Sequence, residues 1–377
     1  RSSDASVAVL IGQDDPLDQY YMSHPDVLLS KPFEAALVDT TNPNILGPHL
    51  ASAAYELPIP LAEVEQTFGH GAMDVARSAI DAGDLAVRKT RGITAERLHW
   101  TRQQPPARDV DIRSLGGGSY SIVEESTGAL IGTVDSARAL HQIHPGAIYL
   151  HQGDNFEVAS LNLGSKVALV TRSQGDFYTQ ARDISDLRLI AVRSSKKVGR
   201  AQFFLGDVEV TERVTSFVRK KISTGEQVAE VELDLPEAIL RTVAFWYTVT
   251  PDVLVDARIE GKAVPGSLHA AEHAGIGLLP LFAMADRWDI GGLSTALSPD
   301  TGLPTVFIYD GYPGGAGIAE RGYAEAAEHL SATLEAVRSC RCESGCPSCV
   351  QSPKCGNGND PLDKNGAIRL MTTILTP

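Results

Sequence analysis

Cys340-Arg341-Cys342-Glu343-Ser344-Gly345-Cys346-Pro347-Ser348-Cys349, followed at Cys355 by one more thiol, holds all five cysteines of a 377-residue chain. The 339 residues before it contain none. So dense and odd-numbered a cluster, in a chain without secretory features, favours a metal site over a disulfide framework. A Cys-x-x-Cys turn lets two thiolates approach one ion at about 2.3 Å, and a second pair closes a tetrahedron with no open position, the arrangement of a structural zinc. Gly345 and Pro347 suit the tight turn between the pairs. The ligands are read as Cys340, Cys342, Cys346 and Cys349, with Cys355 as the alternative, since spacing alone does not identify the odd thiol. A redox or iron–sulfur role is the competing chemistry.

The composition is that of an ordinary globular protein, with 43% hydrophobic and 21% charged residues. No apolar run approaches the roughly 20 residues of a bilayer span, and the first residues do not form a signal peptide, so a cytoplasmic location without membrane partners is expected. A formal charge of −14 argues against a surface that coats nucleic acid throughout. Only a local basic stripe could do so. One exists over residues 188–221, where nine lysines and arginines face three acidic residues. Within it Lys196, Lys197, Arg200, Arg219, Lys220 and Lys221 are candidate phosphate contacts, with Phe203 or Phe217 available for base stacking. A charged edge that blocks strand aggregation is the alternative.

An apolar run, residues 6–11, reads as a strand and predicts that the start of the chain belongs to a core lying further upstream. Helical stretches at 49–55, 61–68 and 73–82, then Leu85-Ala86-Val87 and the basic turn Arg88-Lys89-Thr90-Arg91, describe a winged helix; a plain three-helix cluster fits the pattern equally. Short β-branched segments punctuated by glycine indicate a mainly β domain from Pro105 to Leu235. From Pro236 onward helical stretches at 268–285 and 322–339 flank the strand 305–310. The fold class expected is α+β and multi-domain: 1–30, 31–104 winged-helix-like, 105–235 mainly β, and 236–377 α/β closed by a four-cysteine zinc site.

Three further stretches carry possible chemistry. His269-Ala270-Ala271-Glu272-His273 matches the H-x-x-E-H of inverted zinc peptidases, where two imidazoles on one helix face hold zinc and the glutamate acts as base. Glu320, Glu325 and Glu328 are then only generic third ligands, and histidines hydrogen-bonded on a packed helix are the favoured reading. The turn Tyr309-Asp310-Gly311-Tyr312-Pro313-Gly314-Gly315-Ala316-Gly317 joins a strand to a helix, and the backbone N–H groups at Gly314 and Gly315 could cradle a phosphate. Close strand–helix packing explains the glycines as well, and the turn is not a P-loop. His141, His144 and His151 could bind metal, but satisfaction of buried carbonyls at a strand entry is the favoured reading.

Taken together, Cys340–Cys349, the continuation Gln351-Ser352-Pro353-Lys354-Cys355-Gly356-Asn357 to Leu362-Asp363-Lys364, His144–Gly153, His269–His273, Asp286-Arg287-Trp288-Asp289 and Tyr309–Gly317 resemble the C-terminal part of superfamily-two DNA-repair helicases. The relatives in question are mitomycin repair factor A, mycobacterial SftH and the fungal RecQ-like helicases, and the likeness covers nearly the whole chain. The resemblance implies a parent that translocates 3′-to-5′ on DNA with ATP. It also places Arg1 at the final arginine of a Gln-x-x-Gly-Arg-x-Gly-Arg motif, which makes residues 1–30 a remnant of the second motor lobe. Neither a Gly-Lys-Ser/Thr loop nor an Asp-Glu-x-His box occurs in this sequence. The chain is therefore expected to lack an ATPase of its own, to bind or guide single-stranded or damaged DNA, and to brace the motor. A zinc peptidase and a platform recruiting a repair nuclease are the alternatives.

Overall fold

The computed structural model describes residues 7–30, 32, 34–89, 95–110 and 118–376. Two short helices come first, α1 (Pro16–Ser23) and α2 (Pro25–Ser30). The run Val7–Ile11 forms no strand, and Val7, Val9 and Ile11 are exposed. A strand requires a hydrogen-bonding neighbour, and no described strand pairs with this segment. Ser6 and the expected motif arginine, Arg1, lie outside the described residues.

The next unit contains α3 (Pro43–Glu56), β1 (Ile59–Pro60), α4 (Val64–Phe68), α5 (Ala72–Asp81) and the hairpin β2 (Leu85–Lys89) and β3 (Glu96–Trp100). Asn42 caps α3 by accepting from the Asn44 N–H at 2.9 Å, with Pro43 at the first helical position. Leu46, Leu50 and Ala54, four apart on one face of α3, pack on Val64, Ala72, Ala76, Leu85 and Leu98. The sheet order β1-β3-β2 beneath three helices is that of a winged helix. Arg88 and Lys89 lie on β2; Thr90 and Arg91 lie outside the described residues.

A five-stranded sheet follows, built from β4 (Ser119–Glu124), β5 (Leu130–Asp135), β6 (Ile148–His151), β7 (Asp154–Asn162) and β8 (Val167–Ser173), with α6 (Ser136–Gln142) over its core. The order is β5-β4-β8-β7-β6.

The largest body starts with a long antiparallel hairpin, β9 (Phe177–Val198) and β10 (Ala201–Lys221), and continues through β11 (Gln227–Glu232) and β12 (Ala238–Thr248). After α7 (Pro251–Asp256) and α8 (Ala263–Leu278) come β13 (Ile290–Thr295) and β14 (Thr305–Asp310), and then α9 (Ile318–Ala324), α10 (Ala326–Ser339) and α11 (Lys364–Leu375). β10 pairs with β12 from Gln202↔Thr248 to Glu212↔Ala238, and β12 pairs in turn with β14. The boundary expected between 235 and 236 thus falls inside one sheet. Non-local pairing overrides the change of texture in the sequence.

Side chains on β12 alternate between two cores, as the pleat dictates. Val243, Phe245 and Tyr247 face the helices, whereas Ala244 and Trp246 pack with Leu187, Val208, Val210 and Phe307 on the opposite face. α8 is buried all round and forms the centre of the helical layer. Glycines let its neighbours approach: a Cβ at Gly277 would stand 3.0 Å from Pro16 of α1, and one at Gly266 would stand 3.2 Å from the Asp363 nitrogen.

Candidate metal centre

α10 ends at Ser339 and α11 begins at Lys364, and the intervening loop carries all five thiols. The sulfurs of Cys340, Cys342, Cys346 and Cys349 converge: 340–342 and 340–346 are 3.6 Å apart, 342–349 is 3.5 Å and 346–349 is 3.8 Å. A tetrahedron with metal–sulfur bonds of about 2.3 Å has edges of about 3.8 Å, so these four sulfurs fit a closed zinc cage. Local backbone builds it. The Cys346 carbonyl accepts from the N–H groups of Cys349 and Val350, and Gly345 takes φ +116, a left-handed value open to glycine, where a Cβ would stand 2.6 Å from Val350.

Four thiolates around a dication leave a charge of about −2 that needs compensation. The buried Lys364 supplies part of it. Its ammonium donates to the Cys340 and Cys342 carbonyls at 2.7 and 2.6 Å and lies 3.4 Å from the Cys342 sulfur. Burial works against ionisation of Cys342, but hydrogen bonds from the Cys349, Cys346 and Cys340 thiols and from Lys364 bring its pKa down to about 7. Burial pushes Cys349, the innermost thiol, upward. The spacing of the cysteines gave no role to Lys364. The available signal was its register: Lys364 shares the buried face of α11 with Ala367, Met371 and Ile374.

Cys355, the expected alternative ligand, stands apart from this cage. Its sulfur lies 3.5 Å from His269 Nε2, and a ring nitrogen of His269, one of His273 and the Cys355 sulfur all lie within 4.8 Å of one another. The histidine pair of the H-x-x-E-H stretch therefore meets a thiol, not Glu320, Glu325 or Glu328. Glu272 faces elsewhere. Its carboxylate packs toward Gly292 and hydrogen-bonds Ser294 of β13, and burial raises its pKa. Among the described residues Glu272 is thus not turned into the histidine pair as the base of an H-x-x-E-H peptidase would be, and the peptidase reading loses that geometry.

The glycine-rich turn is occupied by its own aspartate. Asp310 is fully buried, and its carboxylate accepts from the N–H groups of Ala316, Gly317, Ile318 and Ala319 at 2.5, 3.0, 3.2 and 2.7 Å. Burial pushes its pKa up to about 7 against the pull of these donors. The N–H groups of Gly314 and Gly315 are bound to the Arg241 and Tyr312 carbonyls. The donors expected to hold a phosphate are thus spent within the chain. What the turn receives instead is Asn42 at the head of α3, whose amide donates to the Pro313 and Gly315 carbonyls at 2.8 and 2.6 Å.

The basic stripe divides in space. Lys196, Lys197 and Arg200 lie at the tip of the β9–β10 hairpin, and Arg219, Lys220 and Lys221 lie near its far end, roughly 50–70 Å away along a straight strand. Arg200 pairs with Asp252 and Asp256, Arg219 with Glu157, and Lys221 with Glu226. Lys220 donates to Gln180, and Lys196 donates to the Ala324 carbonyl and lies over the Tyr323 ring. Lys197 is exposed. Phe203 and Phe217 are buried and offer no face to a base.

The three histidines before the long hairpin do not meet at one site. His141 bonds Glu212 at 2.9 Å beside Asp183, and although burial opposes it, these carboxylates raise its pKa to about 10. His144 is buried against Phe217, and His151 stacks on Tyr149.

Comparison with known proteins agrees with this geometry. The MrfA Zn-binding domain matches residues 271–350, and the winged helix domain of the ATP-dependent helicase HRQ1 matches residues 38–115. The uncharacterized ATP-dependent helicase YprA of Bacillus subtilis is 32% identical over 93% of this chain and 46% of its own length. For the ATP-dependent helicase hrq1 of Schizosaccharomyces pombe the identity is 27%, over 100% of this chain and 36% of the relative. A crystal structure of the DUF1998 helicase MrfA bound to DNA superimposes with a TM-score of 0.54 at 30% identity, covering 95% of this chain and 46% of that one. The chain thus spans less than half the length of these helicase relatives. By these two domain matches and this likeness, the chain resembles the DUF1998 helicases over their winged-helix and zinc-binding parts.

Proposed function

We propose that this chain is the accessory module of a DNA-repair helicase, which guides single-stranded or damaged DNA and braces a motor that supplies ATP hydrolysis from the same polypeptide. The observation that carries the reading is the junction of the two matched domains. Asn42, at the head of the winged helix, is bound into the turn that leads to α9 and on to the zinc-bearing loop, so the module presents one continuous frame to DNA and motor. MrfA, which this chain resembles over 95% of its length, has been crystallised with DNA. In an acidic chain the strand would follow local basic positions. Lys196 and Lys197 at the hairpin tip, with Arg88 and Lys89 of the wing, form one set of candidates, and Lys220 and Lys221 form a second; Lys197, Arg88, Lys89 and Lys221 are exposed, whereas Lys196 and Lys220 are half-buried. A zinc keeps the cysteine loop folded and takes no part in chemistry. Nothing in the geometry favours recruitment of a repair nuclease.

The test is titration of a fluorescent single-stranded oligonucleotide at two salt concentrations. Lys196→Glu with Lys197→Glu should weaken binding and lower the salt slope by about 1 per lost phosphate contact. If this pair and the Lys220→Glu, Lys221→Glu pair both bind as the unaltered chain does, the proposed strand path is wrong.

A further inference from the structure

We propose that His269, His273 and Cys355 form a second zinc site, separate from the four-cysteine cage. The two histidines are four apart on α8, so their rings share a face, with centroids 4.2 Å apart. Each ring is oriented by a carbonyl: His269 Nδ1 lies 2.8 Å from the Pro361 oxygen, and His273 Nδ1 lies 2.8 Å from the Val350 oxygen. A carbonyl only accepts, so each Nδ1 carries a proton and Nε2 is the ring nitrogen left to bind a metal. Protein-bound zinc orients its histidine ligands in this way.

The distances also suit a metal. With zinc–nitrogen near 2.05 Å and zinc–sulfur near 2.3 Å at the tetrahedral angle, a nitrogen and a sulfur on one ion stand about 3.5 Å apart. That is the His269 Nε2 to Cys355 Sγ distance. The sulfur also accepts from the Asn359 N–H at 3.2 Å, which fixes its position beside the rings. Two imidazoles and one thiolate are borderline donors that select zinc-like cations over magnesium or calcium. Three protein donors leave a fourth position for water, and His269, which is only partly buried, gives an entry path. Glu272 points to β13, so the site is built to hold a metal and not to activate water.

Its place in the fold gives such a site a purpose. Val350 directly follows the cage ligand Cys349, and Pro361 lies just before α11. The histidines therefore grip both ends of the segment 350–361, and the ion would fasten its middle, at Cys355, to α8. Bonds from the Gln180 amide to the Pro353 carbonyl and from Arg182 to the Gly356 carbonyl carry that anchorage on to the β9–β10 hairpin.

The test is metal analysis and cobalt substitution of the full chain. The unaltered chain should bind two zinc ions, and cobalt should titrate in two steps with distinct visible spectra, one from four sulfurs and one from mixed nitrogen and sulfur. Cys355→Ser and, independently, His269→Gln should each lower the count to one zinc while Cys346→Ser with Cys349→Ser removes the other. The near-ultraviolet sulfur-to-cobalt band should fall by about a fifth in Cys355→Ser, since one of five thiolates is lost. A single zinc and a single cobalt step in the unaltered chain would overturn the proposal whatever the variants do. Two ions that persist in both Cys355→Ser and His269→Gln would overturn it as well, leaving Cys355 and His269 as a plain hydrogen-bonded pair.

Discussion

Lys364 is where one side chain decides the fate of a site. Its ammonium is the buried cation at a cage that carries net negative charge, and it holds two of the loop's carbonyls. Lys364→Met keeps much of the stem and removes the charge. We expect zinc affinity to fall about 10–100-fold, measured by competition with a chromophoric chelator. Unchanged affinity would show that the carbonyl contacts are incidental to the metal. His329 makes a pH-dependent contribution of another kind. It is enclosed edge-on by Phe245 and Phe282, bonds the Gly275 carbonyl at 2.8 Å, and burial lowers its pKa from 6.5 to about 4. Between those values the unfolded chain holds the proton and the folded chain does not. Stability is therefore complete above about pH 6.5, falls as the pH drops toward 4, and levels off below. The loss should be roughly 2–4 kcal/mol. His329→Gln, which keeps a donor but does not titrate, should flatten that limb in urea unfolding at pH 7 and 4.5, and an equal slope in both proteins would refute the assignment. The cysteines were legible as ligands because their spacing is itself the signal. Lys364 and His329 were not, because their roles come from partners 22 and 54 residues away.

At the level of elements, the turn between β14 and α9 shows how a motif can be legible while its use is not. Glycines between a strand and a helix are readable as an exposed set of N–H groups, but which anion they hold depends on where the Asp310 side chain turns. Here it satisfies four donors, two of them, at Ile318 and Ala319, in buried bonds. Asp310→Asn replaces one acceptor oxygen with a donor and should cost about 2–4 kcal/mol in chemical denaturation. A loss below about 0.5 kcal/mol would mean that the N–H groups find other partners and that the turn could take an outside anion. The hairpin β9–β10 teaches the same lesson for strands. Each segment is legible from its β-branched residues, yet the pairing of β10 with β12 joins regions that differ in texture. The basic stripe, continuous in sequence, is divided because the two ends of a long hairpin lie far apart. H-x-x-E-H was likewise visible, but its third partner, Cys355, lies 86 residues from His269.

Across the whole molecule, the fold class was legible because helical periodicity and a small hairpin are local signals, but those signals left a winged helix and a plain three-helix cluster equal until β1 was seen to pair with β3. The joints were not. Asn42 against the Pro313–Gly315 turn, Asp15 against Arg287, and Asp14 against Ser348 beside the cage tie the first segments to the last body. These contacts make the cysteine loop the place where α1, α8, α10 and α11 come together, and the central claim is that a metal there holds the module in one piece. The most direct measurement is stepwise removal of zinc from the four-cysteine cage with a thiol-specific mercurial, with zinc release and thermal unfolding followed on the same sample. Loss of the cage zinc should lower the unfolding midpoint and loosen the helical layer, and Cys342→Ser with Cys349→Ser should reproduce this without the reagent. A zinc-free chain with the same helical signal and the same unfolding midpoint as the zinc-loaded one would contradict it.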